Sequence, residues 1–134
     1  LFDLLLVLVG YAVLVVLHEC FHLAGFWFFG KVPWSSMDYG VNLKLGIAYA
    51  TTTIPIPNQA MKKALLLPFW MTGVVPVIIG YIIESPILVL LGAWLIAGAV
   101  GDFAMYKELR KHPMDALIQD DPVNPKLYVL RKTV

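Results

Sequence analysis

The sequence predicts an all-α membrane protein, a three-transmembrane-helix bundle with a small cytosolic β element. Three observations carry this. The 134 residues are 60% hydrophobic and 14% charged, with a mean hydropathy of +0.78, too apolar a composition for a soluble domain of this size. Apolar stretches at about 4–29, 64–83 and 86–106 each supply the roughly 20 residues a helix needs to cross the hydrocarbon. All ten Lys and Arg fall in two segments, Lys31, Lys44, Lys62 and Lys63 in one and the six from Lys107 onward in the other, and a three-helix topology puts both on the same side.

Lys and Arg accumulate on the cytoplasmic side of a membrane. The expected arrangement is therefore a multi-pass protein of the cell membrane, with loop 30–63 and the tail 107–134 cytosolic and Asp3 and the Glu84-Ser85-Pro86 turn outside. Trp27, Trp34, Trp70 and Tyr106 would form the inner aromatic belt. The whole chain, 1–134, reads as a single membrane-embedded domain. A secretory signal is a poor account of the first stretch, which is longer than a signal's apolar region and carries ionisable residues where cleavage would fall. The chain opens on Leu1 rather than Met, which leaves room for further residues, or a helix, upstream.

The first span holds His18, Glu19 and His22 in a His-Glu-Cys-Phe-His run. Ionisable groups at membrane depth are costly, face the protein interior and mark functional sites. At i and i+4 the two imidazoles project from one face. His-Glu-x-x-His on a helix is the pattern in which the His pair binds zinc and the Glu acts as general base. Two blander readings exist: a pair of buried, hydrogen-bonded histidines, or half of a di-iron carboxylate site, which would need a second Glu-x-x-His that the chain lacks.

After the first span, a β-loop is expected at about 40–57. From Val41 to Tyr49 apolar residues alternate with Asn42, Lys44, Gly46 and Ala48, the period of a strand, and Thr51-Thr52-Thr53-Ile54 continues it until Pro55 and Pro57. Its edge would pair with an extended substrate segment, or the segment would form a strand hairpin packing only against the protein's own tail. In the second span Pro76 cannot donate to the carbonyl of Thr72, which predicts a kink, either a lateral gate or a plain bend.

The third span supplies the remaining intramembrane ionisable group, Asp102. At about 1.5 Å per residue, His18 lies roughly 21 to 24 Å along the first helix from the outer edge and Asp102 about 24 Å along the third. They share a level in the cytoplasmic half. A catalytic zinc takes three protein ligands and leaves one position for water; position 28, where a soluble pattern would continue to a third His, is Phe28, so Asp102 is the candidate. Ala93, Ala97 and Gly101, with Gly98, form a small-residue stripe that would let helices approach closely. The alternative is a packing face with Asp102 snorkelling or capping. In the tail, Pro113 suits the start of a brief helical turn through Ile118, residues 120–125 form a turn cluster, and Leu127 to Leu130 form a strand able to pair with the loop. His112, Asp115, Asp120 and Asp121 are the other ligand candidates, expected to be solvated. Cys20, alone, excludes an intrachain disulfide and reads as packing rather than a fourth ligand.

The run His18-Glu19-Cys20-Phe21-His22, followed by Gly101-Asp102 in a later helix, resembles the site-two protease group of intramembrane zinc metallopeptidases, and more closely the small putative zincin peptidase family. The resemblance covers most of the chain. It implies one Zn2+ per chain bound by His18, His22 and Asp102, with Glu19 activating water. The expected function is a zinc-dependent intramembrane or juxtamembrane peptidase of the HExxH type, cutting membrane-anchored protein substrates near the cytoplasmic face. The expected partners are membrane lipid and that substrate; a net charge of +1 gives no reason to invoke nucleic acid. The competing class is a non-enzymatic polytopic membrane protein, either a degenerate relative or a metal-binding transporter subunit, against which an intact Glu19 argues.

Overall fold

A computed structural model describes residues 1–121 and 126–130. Helix α1 runs over Phe2–Gly30. It ends where Lys31 turns left-handed (φ 52°) and the Val32 N–H reaches back to the Phe26 carbonyl at 3.2 Å. The Lys31 N–H reaches the same carbonyl, a left-handed closure of the kind that ends many helices, and Pro33 just beyond it cannot continue one. A short 3-10 turn, Trp34–Ser36, leads into the β-loop.

The loop forms a strand hairpin. β1 (Met37–Asn42) and β2 (Ile47–Thr52) pair antiparallel from Met37 with Thr52 to Asn42 with Ile47. The alternation from Val41 to Tyr49 spans its turn. Asn42 Oδ1 accepts the N–H groups of Lys44 and Leu45 at 3.1 and 3.2 Å, and Gly46 takes φ +64°, so the polar members of the pattern make the turn.

β3 (Ile56–Pro57) then pairs with β4 (Leu117–Asp120), which pairs with β5 (Leu127–Leu130). The expected tail strand therefore reaches the loop through β4. The expected helical turn from Pro113 to Ile118 is a bend instead. Ile118 is fully buried beside Val32 and Ile56, and the Ala116 and Met114 carbonyls accept the N–H groups of Asn58 and Gln59, which holds this stretch extended. Of the expected turn cluster, 122–125 lie outside the described residues.

The second span begins at Asn58, six residues before its apolar run. Its first two N–H groups are taken by the Ala116 and Met114 carbonyls, and buried Asn58 donates its side-chain amide to the carbonyls of Leu109, His112 and Pro113, so bonds to the chain after α5 set the boundary rather than hydropathy. The span comprises α2 (Asn58–Pro68), a π-helical turn (Phe69–Val74) and α3 (Val75–Ile82). The irregularity expected at Pro76 thus takes the form of a π turn. The third comprises α4 (Pro86–Gly98) and α5 (Val100–Leu109), joined at Ala99. Ser85 caps α4 by accepting the Leu88 N–H.

Among the described residues the molecule is thus mostly helical, with three helices long and apolar enough to cross a membrane, Phe2–Gly30, Asn58–Ile82 and Pro86–Leu109, and two small sheets. Close helix approach is made by glycines other than those expected. A Cβ on Gly25 would lie 2.7 Å from Ala64 Cα, and one on Gly92 would lie 2.8 Å from the Gly73 carbonyl. Ala93, Ala97 and Gly101 are exposed, and a Cβ on Gly98 or Gly101 would meet nothing within 4 Å. Their small size leaves space and does not close it.

Candidate metal centre

α1 is continuous through its ionisable run, so His18 and His22 lie one turn apart, edge to face, with ring centroids 4.9 Å from each other. Asp102, in the first turn of α5, meets both. Its Oδ2 lies 3.2 Å from His18 Nε2 and 3.3 Å from His22 Nε2, and the side chains are 12%, 8% and 18% exposed for His18, His22 and Asp102. The three ligand atoms all lie within 4.8 Å of one another. Ligands about 2.0–2.1 Å from a tetrahedral zinc are about 3.3 Å apart. The donor set and both measured separations therefore fit a zinc ion.

The outer nitrogens have partners as well. His22 Nδ1–H donates to the Ala64 carbonyl at 3.2 Å, and His18 Nδ1 lies 3.4 Å from Thr72 Oγ1. Metal-binding histidines commonly donate their second ring N–H to an oxygen, which fixes the tautomer and orients the ring. The Ala64 contact depends on Gly25, which lets α2 come against α1 one turn beyond His22.

Glu19 is half-buried and borders the same cavity as the trio, a space of about 700 Å³ between α1, α5 and the β1–β2 hairpin. Gly98 and Gly101 line it from the third span, and Ile47 to Thr51 of β2 line it from above. β2 pairs with β1 on one edge.

Of the other ligand candidates, His112 and Asp115 are exposed and lie outside this cavity. Asp120 and Asp121 border it without joining the trio. Asp120 was expected to be solvated, but it is half-buried and accepts a hydrogen bond from Thr51 Oγ1, tying the tail sheet to the hairpin. Burial pushes its carboxyl above the ordinary range, and the Thr51 hydroxyl works against that rise. Cys20 is exposed on the opposite side of α1, neither packed in the core nor in the trio. Sequence reasoning missed Thr72, Thr51 and the Ala64 carbonyl. Only Thr72 left a trace, as a hydroxyl alone in the middle of an apolar span.

A sequence model of the family described as "Putative zincin peptidase" matches residues 11–117, from within α1 to the first residue of β4, and so includes His18, Glu19, His22 and Asp102. No curated protein and no solved structure matches the chain.

Proposed function

The chain belongs to the Putative zincin peptidase family, and from that premise we propose that it is a zinc-dependent intramembrane or juxtamembrane peptidase, built as one domain, that cuts membrane-anchored proteins near the cytoplasmic face. The observation that carries the proposal is the convergence of two histidine Nε2 atoms on one Asp102 oxygen at 3.2 and 3.3 Å, with both Nδ1 atoms facing oxygens. His18, His22 and Asp102 would hold one zinc ion per chain. When bound, zinc polarises the scissile carbonyl and lowers the pKa of water toward about 7.

The chain's own residues do the rest. Glu19, beside the trio and not part of it, takes the proton from the attacking water and delivers it to the leaving amine. That transfer asks for a carboxylate within reach of the reacting water. A protein that only stored metal would have no use for it. Gly98 and Gly101 leave room beside Asp102 for a polypeptide, and β2 presents an edge to it. A helical substrate must first unwind, because its backbone groups are already paired and cannot bond to a strand edge.

The orientation follows from charge. Every Lys and Arg lies in the loop after α1 or from Lys107 onward, which supports a cytosolic position for the hairpin, the tail sheet and the nearer end of the cavity. The test is proteolysis by the purified chain in lipid vesicles. A membrane-anchored test protein should be cut, a zinc chelator should stop the reaction, and added zinc should restore it. No cleavage across a broad panel of anchored substrates would favour the non-enzymatic class.

A further inference from the structure

Resting on the zinc reading above, we propose that Thr72 is the positioning residue for His18: its hydroxyl holds the ring with Nδ1 protonated and Nε2 turned toward the metal. Thr72 is 1% exposed, whereas Trp70 and Tyr81, the other polar-tipped side chains of the apolar stretch 64–83, are 54% and 82% exposed. Its Oγ1 makes two contacts, 2.7 Å to the Pro68 carbonyl and 3.4 Å to His18 Nδ1.

Counting protons settles the direction of both. A carbonyl only accepts, so the single Thr72 proton goes to Pro68. The hydroxyl then has lone pairs left and no proton to give, so the hydrogen in the second contact comes from His18 Nδ1. With Nδ1 protonated, the neutral ring keeps its lone pair on Nε2, the atom that faces Asp102 and His22. His22 reaches the same state by donating to Ala64. The two ligands are oriented by unlike means, and only one of them depends on a side chain.

The backbone at Thr72 is irregular in a way that serves this contact. Pro76 has no N–H, so the Thr72 carbonyl has no donor four residues on, and the chain widens into the π turn, with the Val75 N–H bonded to the Trp70 carbonyl. Turns of this kind recur at functional sites. The third span grips the turn from behind: a Cβ on Gly73 would lie 2.7 Å from Ile96, and one on Gly92 would lie 2.8 Å from the Gly73 carbonyl. Wedged there, Thr72 is held against α1. At 3.4 Å the contact is long for an N–H···O bond, so its effect is on ring orientation more than on binding strength of its own.

A simpler role exists, since a Thr bonded to the carbonyl four residues back is common in helices and would need no histidine. Zinc affinity separates the two. In the full chain purified in lipid nanodiscs, competition with a chromophoric chelator should show Thr72→Val binding zinc about tenfold more weakly, at the low end of the ~10–100-fold that such supporting partners are worth. Thr72→Ser, which restores the hydroxyl, should return to within about twofold of wild type. Nitrogen NMR of the zinc-loaded protein should show His18 protonated at Nδ1 in wild type and Thr72→Ser. If Thr72→Val fails to fold by its melting temperature, Thr72→Ala against Thr72→Ser makes the same comparison. Wild-type affinity in the hydroxyl-free variant, or Thr72→Ser as weak as it, overturns the proposal while leaving the zinc reading intact. A wild-type chain that binds no zinc overturns both.

Discussion

Asp102 is the residue on which the proposed metal centre turns, because its carboxylate meets both histidines from the third span. Loss of a supporting partner typically costs ~10–100-fold in metal affinity, so loss of a direct ligand should exceed about 100-fold. Asp102→Ala is therefore expected to be purified nearly free of zinc by elemental analysis, and full retention would move the third ligand elsewhere. Asp120 borders the same cavity, and the sign of its titration can be worked out. Burial raises its folded pKa, so the native state holds the proton more tightly than the unfolded chain. Its contribution to stability is complete below the unfolded value and is lost as pH rises through the raised folded one. Asp120→Asn, whose amide oxygen still accepts from Thr51, should melt higher than wild type above that window and show a flatter dependence from pH 4 to 8. The sequence displayed the His18-Glu19-His22 run because spacing by four within one helix is local. It hid the partners of those side chains, since Ala64 and Thr72 reach them across 42 and 54 residues.

At the scale of elements, the glycines divide into those that close gaps and those that leave them. Gly25→Ala would drive a methyl to 2.7 Å from the Ala64 backbone, an overpacking of the kind that costs about 1–3 kcal/mol, and would push away the carbonyl that orients His22. Lower melting temperature and weaker zinc binding should appear together. Gly101→Ala meets open space and should alter neither, while Gly101→Leu, which fills the cavity beside Asp102, should keep zinc and slow proteolysis. A Gly101→Leu variant with undiminished turnover would mean that substrate enters by another route. The three long apolar helices were legible from hydropathy. The start of α2 at Asn58, the hairpin turn at Asn42 and Gly46, and the bend after Pro113 were not, because capping bonds and tertiary pairing set them. The small-residue stripe misled for a related reason: sequence shows that a face is small without showing whether a neighbour occupies it.

For the whole molecule, the outer surface and the cavity support one account. Long runs of α1 remain exposed, with Leu4, Leu8, Val9, Val13 and Val16 all more than half accessible, an apolar surface far larger than soluble monomers expose and suited to lipid. If the basic segments are cytosolic, as proposed, product termini mapped by mass spectrometry should cluster in the cytoplasmic half of a substrate helix or just beyond it, at stretches that unwind readily. Cuts near the outer face would contradict the orientation, the role of β2, or both. The central claim, that this is a zinc peptidase with Glu19 as its base, is tested most directly by measuring zinc content and proteolysis side by side for wild type and Glu19→Gln. The variant should carry wild-type zinc and the wild-type melting temperature while losing at least about a hundredfold in cleavage rate, as removal of a general base implies; cleavage near the wild-type rate by a zinc-loaded Glu19→Gln protein would contradict the account.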